Sequence, residues 1–182
     1  MSSEHERRRR FEAIVDEVFE PLQRYLRRRV GPADAEDALA DVLMTIWRRI
    51  EDAPSPPTLP WCYGIARRTL ANQRRGRERH LRLVRRIEAQ PAPEPGHDPA
   101  EAGPDPELSL ALDQLGDEDR EVLRLWAWEQ LEPREIAPVL DISVNAATLR
   151  LSRAKKRLAK AMAGQSAPSS GHRQVEGTQE SR

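Results

Sequence analysis

The residues best equipped for chemistry lie in "ISVNAATLRLSRAKKRLAK", residues 142–160, which carry six bases and no acid. At about 100° per residue on a helical wheel, Asn145, Leu149, Ser152, Arg153 and Lys156 share one face, and Thr148, Arg150, Lys155 and Arg157 flank it. Val144, Ala147, Leu151, Ala154 and Leu158 fall on the opposite, apolar face. Such an outer face suits nucleic acid. An arginine donates two hydrogen bonds to a guanine edge, an asparagine pairs with adenine, and an apolar side chain touches a thymine methyl. Arg153, Asn145 and Leu149 take those roles, whereas Lys155, Lys156 and Arg157 suit phosphates, which fix register without reading sequence. The plainer alternative is a solvated helix whose basic end complements its own dipole.

Other chemistries find little support. A hydrolase or recombinase needs clustered carboxylates for metal or a placed nucleophile, and the acids of the central segment are spread among prolines. The single cysteine, Cys62, excludes an internal disulfide and a multi-cysteine zinc site; in "LPWCYGIARR" it reads as a small core residue. His97 has no His or Cys nearby, so neither metal nor cofactor is expected. The 30 basic and 30 acidic side chains cancel, but their distribution is uneven. Residues 61–90 hold nine Arg against two acids, and residues 91–121 hold ten acids against one base. Two basic blocks separated by an acidic one could grip one polyanion at two places.

The elements that must position these residues are helical. Phe11, Ile14, Val15, Val18, Leu22, Leu26 and Val30 recur at three- and four-residue spacing, predicting a helix over about 7–30 with a kink or break at Pro21. Gly31–Pro32 starts a second, with Asp34 as N-cap and a buried stripe of Leu39, Val42, Leu43, Ile46 and Ile50. "EDAPSPPTLP" has four prolines and cannot be helix; a third helix runs from about Trp61 into the arginine cluster. Residues 89–106 are proline- and acid-rich and read as a flexible linker. Residues 107–162 read as four short helices, with Ser143 capping the last, and 163–182 as a disordered tail. A short helix bearing Ile136, Ala137 and Leu140, a turn at Asp141-Ile142-Ser143, and a longer basic helix form a helix-turn-helix. The expected fold class is all-α: two small helical domains, 7–88 and 107–162, each with its own small core, joined by the linker. No apolar run approaches the length of a membrane span, and the charged N-terminus lacks a signal-peptide core, so a cytoplasmic protein is expected.

Three stretches together resemble the extracytoplasmic-function (ECF) group of the bacterial sigma-70 family. "DAEDALADVLMTIWRRI" is similar to the family's second region, and "LPWCYGIARRTLANQRRGRER" to its Trp-containing segment ending in an Arg cluster. "LDQLGDEDREVLRLWAWEQLEPREIAPVLDISVNAATLRLSRAKKRL" is similar to the fourth region. The resemblance implies a non-catalytic initiation subunit that joins core RNA polymerase at its clamp, opens the −10 element and reads the −35 element. It implies clamp contacts at Asp37 and Asp41, with Leu43, Met44 and Trp47 beside them. Arg67, Arg68, Asn72, Arg74 and Arg75 would face the −10 strand, with the base pocket in the loop between Ile50 and Leu59. Thr148, Leu149, Ser152 and Arg153 would face the −35 element. An anti-sigma partner is also implied. Asp141 stands where the family usually has Gly, Pro138 falls inside the supporting helix, and Thr148 replaces a common basic residue. A helix-turn-helix regulator that never joins polymerase is the competing reading.

Overall fold

The computed structural model describes residues 2–88 and 106–165, and side chains within these for 4–83 and 106–164. The expected linker thus lies outside the described residues except for Pro106, and the expected tail except for residues 163–165, which prolong the last helix. The described residues form α1 (Ser2–Arg27), α2 (Pro32–Arg48), a 3-10 turn (Ile50–Asp52), α3 (Leu59–Glu88), α4 (Pro106–Asp113), α5 (Asp117–Ala127), α6 (Pro133–Leu140) and α7 (Val144–Gln165). None of these helices is long and apolar enough to cross a membrane.

The N-terminal three helices pack around Val18, Leu22, Leu26, Val42 and Ile46, all fully buried. Each such side chain contributes about 1.5–3 kcal/mol of transfer free energy. That burial explains why α1 runs unbroken through Pro21, so of the kink or break expected there the break does not occur. Proline deprives the Glu17 carbonyl of its donor, but residues on both sides are locked into the core. The second helix starts three residues earlier than its acids suggested: Gly31, not Asp34, is the N-cap, Pro32 occupies the first turn, and Asp34 lies inside it. The proline loop is fastened at both ends to α1. Arg10 donates to the Ala53 carbonyl at 2.6 Å, and the Thr58 hydroxyl donates to Glu17 Oε2 at 3.1 Å. Cys62 is fully buried, and burial with the nearby Glu17 charge pushes its thiol from 9.0 up to about 12.

In the C-terminal half, α6 and α7 pack against α5 and α4 over Val122, Leu125, Ile136, Val139, Ala147 and Ala154. Left-handed backbone, uncommon outside glycine, makes two of the corners. Gln130 (φ 56°) closes α5, where the Leu131 N–H reaches the Leu125 carbonyl at 3.0 Å. Asp141 (φ 58°, ψ 48°) closes α6. Pro138 stays within α6, whose start is fixed by reciprocal capping between Glu132 and Glu135. The two helical regions are as expected, but their cores are not separate. The buried apolar side chains form one continuous cluster, with α3 packed on α6.

Candidate nucleic-acid interface

The turn that aims α7 is built from three adjacent residues. Asp141 takes the left-handed conformation, the Ile142 N–H donates to the Ala137 carbonyl at 3.1 Å, and Ser143 Oγ accepts from the Ala146 N–H at 3.2 Å. Ala147, Leu151 and Ala154 then face the core, with Leu158 packed at its edge. Val144 does not join them: it is 51 % exposed. As the first residue of the helix it projects beyond α6, where nothing covers it.

The outer face is as the wheel places it. Asn145, Thr148, Leu149, Ser152, Arg153 and Lys156 are all exposed, and Leu149 stands out at 47 %. Asn145, Ser152, Arg153 and Lys156 engage no side chain among the described residues, whereas the Thr148 hydroxyl donates back to the Val144 carbonyl at 2.9 Å. The flanking bases differ. Arg150 pairs with Glu118 at 3.1 Å, Arg157 pairs with Asp119, and Lys155 Nζ lies 3.3 Å above the Trp126 ring. The charges on residues 142–160 are therefore not all unopposed. The first turn of α5 supplies the opposing acids, Glu118 and Asp119. These pairs divide the face into an untethered centre and a tethered margin.

On α3, Arg68, Asn72 and Arg75 recur at i, i+4 and i+7, with Arg67 and Arg74 one position away. Arg75 donates to Asn72 Oδ1 at 2.6 Å, which orients the amide. Arg68 lies 3.7 Å from Asp141 and Arg74 3.9 Å from both Glu78 and Asp117. Arg67 is half-buried, and the other four are exposed. On α2, Asp37, Asp41 and Met44 form an exposed stripe at i, i+4 and i+7. Gln73 donates to Asp41 Oδ2 at 3.1 Å, tying that stripe to α3. Leu43 is partly buried against the core. Trp47 is less free than expected: its ring packs edge-on against Phe11 at 5.3 Å, and Arg7 covers it at 4.8 Å. No group of His, Cys, Asp or Glu among the described residues could hold a metal ion.

A helix-turn-helix with an exposed polar and basic outer face stands beside a helical region that carries a basic face of its own, the make-up of a DNA-binding protein. Sequence comparison narrows the class. The family models described as "Sigma-70 region 2" and "Sigma-70, region 4" match residues 14–80 and 106–158. The chain belongs to the sigma-70 family, and regions 2 and 4 with only residues 81–105 between them make it an ECF-type sigma factor. As such it acts with core RNA polymerase on promoter DNA.

Two solved structures share the fold. The sigma factor RpoE of Bartonella quintana, in complex with the anti-sigma factor NepR, has a TM-score of 0.61 at 22 % identity over 84 % of this chain and 96 % of its own. CnrH, in complex with the cytosolic domain of CnrY, has a TM-score of 0.58 at 23 % identity over 86 % and 89 %. No curated protein sequence matches the chain significantly.

Proposed function

We propose that this sigma factor reads the −35 element with Asn145, Thr148, Leu149, Ser152 and Arg153 of α7, while Arg150, Lys155, Lys156 and Arg157 hold the flanking phosphates. The observation that carries the reading is the division of α7 itself: four polar or basic side chains face outward without intramolecular partners, over a helix seated by Ala147, Leu151 and Ala154. Arg67, Arg68, Asn72, Arg74 and Arg75 supply charge and hydrogen bonds along the −10 strand. A flipped single-stranded base needs a pocket beside such charge. We assign it to the loop between Ile50 and Leu59, of which residues 54–57 are exposed between the anchors at Ala53 and Thr58. The α2 stripe of Asp37, Asp41 and Met44, bordered by Leu43 and Trp47, docks on the polymerase clamp.

The chain brings no catalysis of its own; polymerase does the chemistry, in the cytoplasm where both partners are. Both structural neighbours are bound to inhibitory or cytosolic partner chains, which favours an anti-sigma partner here too. In vitro transcription with core polymerase on a promoter library tests the whole reading, since productive templates report both elements at once. Promoter binding retained without any association with polymerase would instead establish the independent regulator.

A further inference from the structure

Of the arginines at residues 7–10, Arg7 covers Trp47, and Arg8 pairs with Glu12 on its own helix at 3.0 Å. Arg10 does something different. Its guanidinium donates to the Ala53 carbonyl at 2.6 Å, just where the 3-10 turn ends. Two turns further along α1, Glu17 Oε2 accepts from the Thr58 hydroxyl at 3.1 Å, just before α3 begins. Arg10 and Glu17 stand on one helix about 10 Å apart along its axis, at 1.5 Å per residue. Ile14 between them and Val18 after them are buried, so the part of α1 that bears both is seated in the core.

The span held in this way is stiff. Ala53 and Thr58 are buried, and the four residues between them are all exposed. Three of the four, Pro54, Pro56 and Pro57, have φ fixed by the ring, and Ser55 is restricted by the proline that follows it. Such a segment has little freedom inside itself and shifts mainly by pivoting on its ends. Ser55 is the one residue of the four with a backbone N–H and a polar side chain. A base read there meets few donors, and two side chains of another helix decide where those donors stand. Groups that recognise a ligand must be held to about 0.5 Å by the residues behind them.

Resting on the assignment of the −10 base pocket to this loop, we propose that Arg10 and Glu17 are positioning residues for −10 recognition. They touch no base. They fix where the proline loop stands, and through it which base the pocket prefers. The competing role for an exposed arginine is a direct phosphate contact, which gives affinity without selectivity. The two roles therefore differ in what a substitution does to base preference.

The test is transcription by holoenzyme reconstituted from core polymerase and the full chain, on templates carrying every single substitution across the −10 element. A second set of templates, varied across the −35 element, is the internal control. Arg10→Ala and Glu17→Ala are each expected to flatten the base preference at one −10 position about fivefold, the size of one net hydrogen bond. Preference across −35 and affinity for polymerase are expected to stay as in the parent. Arg10→Lys, whose ammonium still donates, and Glu17→Gln, whose amide oxygen still accepts, are expected to restore most of the −10 preference. A spin label on a cysteine introduced at Ser55 is expected to report a more mobile loop in the two Ala variants, while buried Cys62 stays unlabelled.

Equal weakening of all −10 templates by Arg10→Ala, with the slope of log K against log salt lowered by about 0.7, makes Arg10 a phosphate contact and overturns the proposal. An unchanged −10 profile in both Ala variants overturns it as well. Ser55→Trp, which obstructs the loop itself, separates these failures from failure of the pocket assignment. If the −10 profile does not move in Ser55→Trp, the pocket lies elsewhere and both readings fall. If it moves in Ser55→Trp alone, the pocket stands and only its anchors are refuted.

Discussion

Arg153 and Arg157 stand one turn apart on α7, yet the structure gives them opposite expected behaviour. Arg153 is exposed and engages no side chain among the described residues, so its guanidinium is available to a base edge. A bidentate arginine–guanine pair contributes about 1–3 kcal/mol of discrimination, or about 5- to 150-fold. Arg153→Ala is therefore expected to lose that preference at a single −35 base pair and to leave thermal stability unchanged. Arg157 is paired with Asp119, whose side chain is only 13 % exposed. Arg157→Ala strands that carboxylate, so the melting temperature falls. On DNA it removes one phosphate contact, lowering the slope of log K against log salt by about 0.9 with no change in base preference. The assay is transcription by reconstituted holoenzyme on templates carrying every single substitution across the −35 element, repeated over a salt series, with melting curves for each variant. If Arg153→Ala weakens all templates equally, Arg153 is a phosphate contact and the division of α7 is wrong. A base-selective loss in Arg157→Ala would reverse the assignment.

Three further outcomes follow from single residues. Met44→Ala and Asp41→Lys lie on the exposed α2 stripe away from the core, and each is expected to weaken core-polymerase binding at least severalfold, measured by competition with a labelled sigma factor, while leaving the melting temperature within a degree or two. Asp141→Gly relieves a left-handed residue at a cost of about 1 kcal/mol, and its ion pair with Arg68 is 84 % exposed on the Asp side and so weak. The variant is expected to melt a few degrees higher; an unchanged or lower melting temperature refutes the strain. Cys62, held up to about 12 by burial, stays neutral in the folded chain. Its contribution to stability is complete below 9.0, the ordinary value, and is lost as pH rises toward about 12. A thiol reagent at neutral pH is expected to modify it only after unfolding.

The outer face of α7 was legible because one period governs it. Once Val144 to Ala161 is taken as helix, 100° per residue decides which side chains oppose Leu151 and Ala154, and Ser143 and Asp141 mark the turn by their own chemistry. Val144 escaped because a wheel assigns angle and not height along the axis, and the first residue of a helix can share the buried angle with nothing above it. At Pro21 the helix continues for a related reason: the lost hydrogen bond is local, whereas the packing of Val18, Leu22 and Leu26 that outweighs it comes from helices far along the chain. Pairings such as Arg150 with Glu118, or Arg29 with Glu129, join residues 32 and 100 positions apart, and no periodicity reports those. Only the shared charge asymmetry hinted at them. The acids of α5 and the bases of α7 are both concentrated, and opposite blocks on neighbouring helices tend to meet.

The neutrality of the chain acquires a physical sense from these contacts. Asp117 caps the dipole of α5 and lies near Arg74 of α3; Glu118 and Asp119 tether Arg150 and Arg157. Asp141 makes the recognition turn and lies near Arg68. Most of these pairs are well exposed on at least one side, so each contributes at most about 1 kcal/mol and is screened by salt. A phosphate, with its counterions released on binding, competes with a solvated carboxylate on favourable terms. The acids near the bases proposed to face DNA thus hold those side chains in place without denying them to a phosphate. The Arg29 cluster is different in kind: the Arg29 and Glu129 side chains are only 6 % and 3 % exposed, so salt screens that pair little and DNA does not reach it. Weak exposed pairs beside the proposed DNA-facing bases and a buried one between the two helical regions let the same neutral chain hold its fold without withholding those bases from a polyanion.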